Sequence, residues 1–403
     1  MKQYIPLLRP GALLTYFVAF TIGSLWAQIQ PTLSVYLVER FESSPFYLGV
    51  FFVALAASAI VVSQVVGLMS DKGINRLMLI FLGMVAGAIA CVCFALSPSY
   101  WLALTAGVVI FSFSAITLPQ IMAHGREYAD GEFPPEQVPL FNAILRASFA
   151  LSWIGGPPLG FHLQYVLGSS KHYLLLAIAY VVVGIVAWSF LPKAKANPAP
   201  RDPNEKAHIP LNLKLGFVAF SILFGVNHSY MIALPQMLVE HLSIKPHYAG
   251  YILGAAAALE IPVMLLGGWL ATRTPLLPLL RIGAASAMLL YVGVWFSNSL
   301  WQLIAMQALN ALFIGFIAGL GTTWFQDQMP KFAGTASSLF VNTINLGNIF
   351  GSLIVGVIAA WVGYHNMYLA NALVAATAIG FLFACSNTQE ATKTAESHTS
   401  KAT

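Results

Sequence analysis

The chain has 403 residues, of which 58% are hydrophobic and only 8% are charged. So few polar side chains cannot cover a water-soluble globule of this length, which excludes a soluble protein and makes lipid the main solvent. The formal net charge of +5 is not gathered into a basic patch, which excludes nucleic acid as a partner. The apolar segments are about 20 residues long and do not alternate, which predicts helices and excludes a barrel.

We predict an all-α membrane protein with twelve transmembrane helices in two six-helix bundles. Residues 1–191 form the first bundle, 192–213 a polar linker, 214–386 the second bundle and 387–403 a disordered tail. The predicted spans are 11–38, 46–69, 77–96, 99–122, 141–167, 172–191, 214–239, 247–271, 277–296, 300–324, 334–361 and 365–386.

The positions of Lys and Arg predict the orientation. If Met1 is cytoplasmic, only Arg40, Lys171 and Lys245 among the 19 Lys and Arg residues lie on the opposite side. The positive-inside rule therefore places both termini in the cytoplasm. The three cysteines indicate neither a disulfide framework nor a metal site, and we expect no cofactor.

Helix 1 carries Trp26, Gln28 and Gln30 just before Pro31. A proline frees a backbone carbonyl and bends the helix, as suits a wall that must move. Gln and Trp also supply neutral hydrogen-bonding groups and an aromatic face, which suit a neutral polar solute. Gln28 and Gln30 are therefore candidate substrate ligands.

A repeat starts at the end of helix 1. Residues 39–73 are echoed by residues 240–274, so that each residue matches one 201 positions later (240 − 39). Identical pairs include Glu39 with Glu240 and Pro45 with Pro246. An offset of half the chain indicates two copies of one helical unit, with a transport site near the midplane between them.

The loop after helix 2 opens a set of charged residues at the predicted cytoplasmic mouth. Its sequence from Gly67 to Arg76 is GLMSDKGINR. We interpret the set as a cytoplasmic gate in which Asp71 caps the start of helix 11. Ordinary solvated loop charges are the alternative. Arg146 is either a partner in the gate or a side chain that snorkels to the membrane surface. The set is Asp71, Arg76, Arg126, Glu127, Asp130, Arg146 and Lys331.

Helix 5 contains Trp153 and then the run GGPPLG at residues 155–160. We interpret the run as a tight, bent segment with a mechanical role, and Trp153 as a candidate substrate contact. Helix 7 carries Asn227 and His228 upstream of Pro235, at the depth of Trp26 and Ala27 in the first copy. Asn227 and His228 are candidate ligands, although lone polar residues often join membrane helices instead.

Glu260 is the one carboxylate near the middle of a predicted span, helix 8. A charge in hydrocarbon is costly, so this residue faces a cavity, pairs with another group or is protonated much of the time. We expect Glu260 to bind substrate, carry the coupling proton or do both; a structural carboxyl bonded to a neighbouring helix is the alternative. Helix 11 adds Asn342, Asn345 and Asn348 along one stripe, of which Asn342 and Asn345 are candidate ligands.

Several segments resemble the sugar efflux transporter family of the major facilitator superfamily. The loop GLMSDKGINR is similar to the superfamily motif G-x-x-x-D-[RK]-x-G-[RK]-[RK], with the second glycine one residue early and one terminal basic residue missing. The segments similar to the family are QPTLS at 30–34, REYAD at 126–130, LRASFALSWIGGPPLGF at 145–161, ALEIPVML at 258–265 and QDQMPKFAG at 326–334.

This resemblance implies proton-driven export of sugars such as lactose, glucose and glycosides, by a monomer in the inner membrane of a bacterium. A multidrug/proton antiporter of the same fold is the first alternative, although helix 4 has Ser112, Ser114, Thr117 and Gln120 where such exporters carry an arginine. A transport-dead membrane sensor is the second alternative. Enzyme motifs are missing, so we predict that the chain is not an enzyme.

Overall fold

The computed structural model describes residues 7–71, 74–134, 137–193 and 209–385. Within these ranges the side chains of residues 67–71, 139, 331, 333 and 334 are not described. All regular structure in this part of the chain is helical, which confirms the predicted all-α class.

Twelve helices can be followed through the described residues. The first six are α1 (Pro10–Phe41), α2 (Pro45–Asp71), α3 (Arg76–Leu96), α4 (Tyr100–Glu132), α5 (Val138–Leu167) and α6 (Ser169–Phe190). The last six are α7 (Leu211–Glu240), α8 (Tyr248–Ala271), α9 (Leu276–Phe296), α10 (Leu300–Gln328), α11 (Ala333–Leu353) and α12 (Ala360–Ala384).

Most of these helices qualify as membrane spans by length and apolar composition. Within the described residues ten stretches meet that standard, and the last of them, Thr335–Ala384, is 50 residues long. That stretch breaks at Gly363, near the start of α12, where the backbone is not helical (φ 81°, ψ 163°). It therefore holds two spans, one on each side of Gly363. Together with the 30-residue α5, the predicted number of twelve helices is confirmed for the described part of the chain.

The chain forms two compact units, and the division falls inside α8. The first unit contains residues 1–201 and Ser243–Ala257, and the second contains Asp202–Leu242 and residues 258–403. The start of α8 therefore packs with the first unit, whereas its later part belongs to the second. We call the side on which a unit's first helix begins the near side of that unit.

The same helices pair inside both units. In the first unit α1 lies along α5 and α3 along α6, and in the second α7 lies along α11 and α9 along α12. The close contact between α1 and α5 uses Gly156, where a Cβ atom would run into Ala27. The contact between α7 and α11 uses Gly351, where a Cβ atom would run into the carbonyl of Gly225. Both contacts let helix backbones approach closely, as small residues allow in membranes.

Turns and caps also recur at matching positions. Glu42 and Ser243, which are 201 residues apart (243 − 42), both have left-handed backbones, with φ of 51° and 54°. Ser99 and Ser299 cap the starts of α4 and α10 by accepting hydrogen bonds from Leu102 and Gln302. Gly168 before α6 has a φ of 77°, close to that of Gly363 before the second part of α12. The sequence repeat is thus a repeat of backbone structure.

Candidate functional site

Charged side chains at the near side of the first unit form ion pairs. Arg76 Nε donates a hydrogen bond to Glu127 Oε1 at 2.7 Å, and Arg76 Nη1 donates to Gln120 Oε1 at 3.2 Å. Only 21% and 17% of the Arg76 and Glu127 side chains are exposed. The loop before α3 and the end of α4 are thereby held together by a largely desolvated charge pair.

The other residues of the predicted gate are less tightly held. Arg126 Nε lies 3.5 Å from Asp130 Oδ2 one turn further along α4, with both side chains exposed. Arg146 is exposed and has no hydrogen-bonding or ion-pair partner among the described residues. Asp71 ends α2, but its side chain and that of Lys331 lie outside the described part of the chain. The gate therefore stays a prediction.

The two glutamines proposed in α1 have different surroundings. Gln28 is buried, and its Nε2 donates to the carbonyl of Ser24 in the same helix at 3.2 Å. The backbone of Gln28 also faces Gly160 of α5, where a Cβ atom would lie 2.8 Å from the Gln28 Cα atom. Gln30, by contrast, is half-buried and has no partner among the described residues. Of the two amides, Gln30 is the one available to a ligand.

Two aromatic side chains sit beside the α1 and α5 contact. Trp26 of α1 has a buried indole N–H without a partner among the described residues, and its ring centroid lies 5.3 Å from that of Phe111. Trp153 of α5 is half-buried, next to Ser152, which would meet a Cβ atom at Gly23. Trp153 therefore borders the contact between the two helices and leaves part of its surface uncovered.

In α7, one of two neighbouring polar residues is packed against another helix and the other is partly exposed. His228 is buried, and its Cβ lies 3.0 Å from the position that a Cβ atom would take at Gly351 of α11. Its location between two helices corresponds to the interhelical role of a polar residue. Asn227 is half-buried and its amide has no partner among the described residues. Asn227 is thus the better placed of the two for binding a ligand.

Glu260 belongs to the second unit and lies near the middle of α8. The carboxylate is half-buried and has neither a hydrogen bond nor an ion pair with any described residue. Three and seven residues further along α8, Val263 and Gly267 pack on Gly315 and Phe316 of α10. Glu260 therefore lies on the side of α8 that contacts α10.

The asparagines of α11 lie away from its packing face. Gly347 and Gly351 approach Phe224 and Gly225 of α7, whereas Asn345 projects from nearly the opposite side of the helix, since it precedes Gly347 by two residues. Asn342 is exposed, and Asn345 and Asn348 are half-buried. Their amides have no described partners, so α11 packs on one side and presents free amides on another.

The second unit also contains a buried polar network that the sequence analysis missed. Asn310 Nδ2 donates to Gln307 Oε1 at 3.0 Å, and Gln307 Nε2 donates to the hydroxyl of Tyr230 at 3.1 Å. Nearby, Asn371 Nδ2 donates to Ser229 Oγ at 2.9 Å. Gln307 and Asn310 are polar residues three apart inside an apolar span, so the criterion that selected the α11 asparagines also fits them.

The loop before α8 carries titratable groups packed on α5. Lys245 Nζ donates to the hydroxyl of Tyr165 at 2.6 Å, and the ring centroids of Tyr165 and His247 are 4.2 Å apart. Burial, and then the neighbouring Lys245 and His162, lower the pKa of His247 below its ordinary value. Protonation of His247 is therefore less favourable here than in water.

Nothing in the described part of the chain suggests a metal site, because no three His, Cys, Asp or Glu residues come together there in a suitable arrangement. In the first unit Gln30 provides a neutral amide and Trp153 an aromatic surface, whereas in the second unit Asn227 provides an amide and Glu260 a carboxylate without a described partner. Such groups can bind a neutral polyhydroxyl compound and exchange a proton.

Comparisons with known proteins agree on one family. The model of the Major Facilitator Superfamily matches residues 12–226 and 215–402. Sugar efflux transporter A of Dickeya chrysanthemi is 36% identical over 368 residues, which cover 90% of this chain and 92% of the relative. Sugar efflux transporter C of Escherichia coli (strain K12) is 34% identical over 371 residues, covering 91% and 94%.

Two solved structures are similar in fold. The nucleoside transporter NupG aligns with a TM-score of 0.74 at 14% identity, over 93% of this chain and 99% of NupG. A bacterial homolog of the human lysosomal transporter Spinster aligns with a TM-score of 0.75 at 15% identity, over 93% and 95%. At such low identity the likeness concerns the fold alone.

Proposed function

Because this multi-pass membrane protein belongs to the sugar efflux transporters of the major facilitator superfamily, we propose that it exports sugars in exchange for protons by alternating access. The substrates are lactose, glucose or related glycosides. The proposal places the chain in the inner membrane of a bacterium, as a monomer with both termini in the cytoplasm.

The observation that carries the coupling part of this proposal is the free carboxylate of Glu260. A carboxylate in the middle of a span, half-buried and without a described partner, changes its protonation more readily than one fixed in an ion pair. Its oxygens also accept hydrogen bonds from sugar hydroxyls. A proton and a sugar that compete for the same oxygens would be exchanged in alternation, which is antiport.

Side-chain amides without described partners, present in both halves, support the sugar-binding part of the proposal. Gln30 in α1 and Asn227 in α7 are half-buried and free of described partners, and Asn342 and Asn345 add further amides in α11. Trp153 offers an aromatic surface to the C–H face of a sugar ring. Gln28 and His228 stay proposed contacts of lower weight, because one is bonded within its helix and the other is packed between helices.

The near-side charges serve as the gate in this proposal. Arg76 and Glu127 fix the loop after α2 to α4, with Asp71, Arg126, Asp130, Arg146 and Lys331 nearby in sequence or topology. Since a gate must open and close, the paired charges would stabilise one state relative to the other.

Counterflow in proteoliposomes tests the whole proposal. Vesicles loaded with unlabelled sugar should accumulate labelled lactose or glucose, and an imposed pH gradient should drive net sugar movement. A parallel series with lipophilic cations tests the drug-antiporter alternative. Movement of the cations alone would support that alternative. Absence of movement for every compound, in vesicles with correctly folded protein, would favour the sensor alternative. Sugar counterflow with no response to the pH gradient would disprove proton coupling alone.

A further inference from the structure

A pocket opens at the near side of the first unit between the end of α4 and the start of α5. It has a volume of about 420 Å³ and is lined by Met122, Arg126, Val138, Asn142, Ala143, Leu145 and Arg146. All its lining residues belong to the first unit. Two guanidinium groups and one side-chain amide therefore surround a single cavity.

The described charges around this pocket are positive. No carboxylate stands among the described residues that line it. Among the described residues, the guanidinium of Arg126 contacts only the exposed Asp130, at 3.5 Å, and Arg146 has no ion pair. Two positive charges thus border the cavity, at most one of them weakly compensated, which raises the concentration of anions there.

The helix that contributes most of the lining adds to this positive field. The 30-residue α5 begins at Val138, its first turn has no acidic residue, and the preceding residue provides no side-chain cap. The first N–H groups of a helix lack partners within the helix, and its dipole favours an anion at this end. Val138 itself lines the pocket, so the start of the helix and the two arginine residues border the same cavity.

We propose that this pocket binds a phosphate group through Arg126, Arg146 and Asn142. Planar guanidiniums pair with phosphate oxygens through two parallel hydrogen bonds, and the amide N–H₂ of an asparagine donates a further one. The cavity is several times larger than one phosphate ion, so the phosphate belongs to a larger molecule. That molecule is either a phosphorylated solute or a phospholipid headgroup. The site shares Arg126 and Arg146 with the proposed gate, but phosphate binding there does not depend on sugar being the transported substrate.

Binding of inorganic phosphate by the purified full-length protein tests this site. Isothermal titration at constant ionic strength should give one saturable site in the wild type. Arg146→Gln and Arg126→Gln should each weaken binding about tenfold or more. Arg146→Lys should recover part of the loss, since the charge remains but the paired geometry is lost.

Arg273→Gln is the matched control, because Arg273 lies outside the pocket and stacks over the ring of Trp269 at 4.1 Å. It should bind phosphate like the wild type. Equal affinity in the wild type and in both pocket variants would overturn the proposal, as would an equal loss in Arg273→Gln. Size exclusion and thermal unfolding without phosphate establish that each variant is folded. Sugar counterflow, measured separately, reports on the transport function and not on this site.

A lipid arm separates the two sources of phosphate. In nanodiscs of neutral phosphatidylcholine the wild type should bind inorganic phosphate. If a phospholipid headgroup fills the pocket, adding phosphatidylglycerol should abolish that binding, and Arg146→Gln should retain less phosphatidylglycerol during purification. If a phosphorylated solute is the ligand, phosphatidylglycerol should leave phosphate binding unchanged.

Discussion

The two halves share their backbone but differ in what they do with polar groups inside the membrane. In α2, Ser58 donates a hydrogen bond to the carbonyl of Val108 at 2.5 Å, within the π-helical turn Ala106–Phe111 of α4. At the matching place in α8, 201 residues later, stand Leu259 and then Glu260, whose carboxylate has no described partner. Ser58 thus matches Leu259, and Glu260 stands one position later, so the two halves place their polar groups at different positions. Only that of the first half has a described partner.

This difference shows that the repeat determines the framework but not the chemistry. The turns at Glu42 and Ser243 and the caps at Ser99 and Ser299 need a particular backbone geometry, so both copies keep them. The position of Glu260 corresponds to Ala59, and a small apolar residue there is compatible with the same helix. Function can therefore diverge between copies without a change of fold.

The largest expected effect comes from removing the free carboxylate. Glu260→Gln keeps the size and hydrogen-bonding capacity of the side chain but cannot exchange a proton. We expect sugar movement driven by a pH gradient to fall at least about tenfold, because the exchanged proton has lost its carrier in the membrane. Counterflow without a gradient should persist, because it requires no net proton transfer. Both rates can be measured in the same proteoliposomes.

Glu240→Gln is the control, since Glu240 ends α7 and matches Glu39 in the first half. It should leave gradient-driven transport close to wild type. Unchanged pH dependence in Glu260→Gln would remove the proton role from this residue. A loss of counterflow as well would assign Glu260 to sugar binding in addition to coupling.

The second prediction concerns the close helix contacts that the two halves share. Gly156→Ala and Gly351→Ala should each destabilise the protein by about 1–3 kcal/mol, because the new methyl group would overlap with Ala27 or with the Gly225 carbonyl. Gly155→Ala is the matched control in the same run, as nothing lies within 4 Å of a Cβ atom there. Thermal unfolding in detergent measures all three. Equal melting temperatures would mean that the contact adjusts easily.

The third prediction compares a largely buried ion pair with an exposed one on the near side of the first unit. Glu127→Gln should destabilise the first unit by about 1–2 kcal/mol, because it removes one charged partner of the largely buried Arg76. Asp130→Asn should cost no more than about 0.5 kcal/mol, since its pair with Arg126 is exposed. Chemical denaturation of the two variants gives the comparison. A cost for Asp130→Asn as large as that for Glu127→Gln would contradict it.

Much of the fold follows from the sequence because lipid imposes few choices. Apolar stretches about 20 residues long must become helices, and the 201-residue offset predicts that their turns repeat, as Glu42 and Ser243 do. The division of α8 between the two compact units is different in kind. It depends on contacts between residues distant in sequence, which a hydropathy pattern does not contain.

The residues of the site can be predicted only in part from the sequence, for the same reason. Glu260 stands out in sequence because a carboxylate in the middle of a span is rare. Gln28 and Gln30 look equivalent in sequence, yet the first is bonded to Ser24 and the second is free. Which side of α1 faces α5 decides between them, and that depends on packing and not on residue type. Gln307 and Asn310 fit the spacing that selected the α11 asparagines, but their hydrogen bonds to each other and to Tyr230 depend on packing that the sequence does not show.

The smallest expected effect compares the loop before α8 with its counterpart before α2. His247 corresponds to Phe46 (247 − 201 = 46), so His247→Phe gives the second loop the residue of the first and keeps a ring against Tyr165. Folding lowers the pKa of His247, so the unfolded chain binds a proton more readily than the folded protein. Stability is therefore complete above the ordinary value of about 6.5 and falls as the pH drops below it.

His247→Phe should remove this loss, so its melting temperature should decline less than that of the wild type between about pH 7 and pH 5. Lys245→Ser, which installs the residue of Ser44, should remove only part of it, since burial comes before Lys245 among the causes of the lowered pKa. Melting curves at matched ionic strength measure the three profiles. Parallel profiles would mean that His247 titrates alike in the folded and unfolded chain, and the two loops would then differ in residue type without differing in their response to pH.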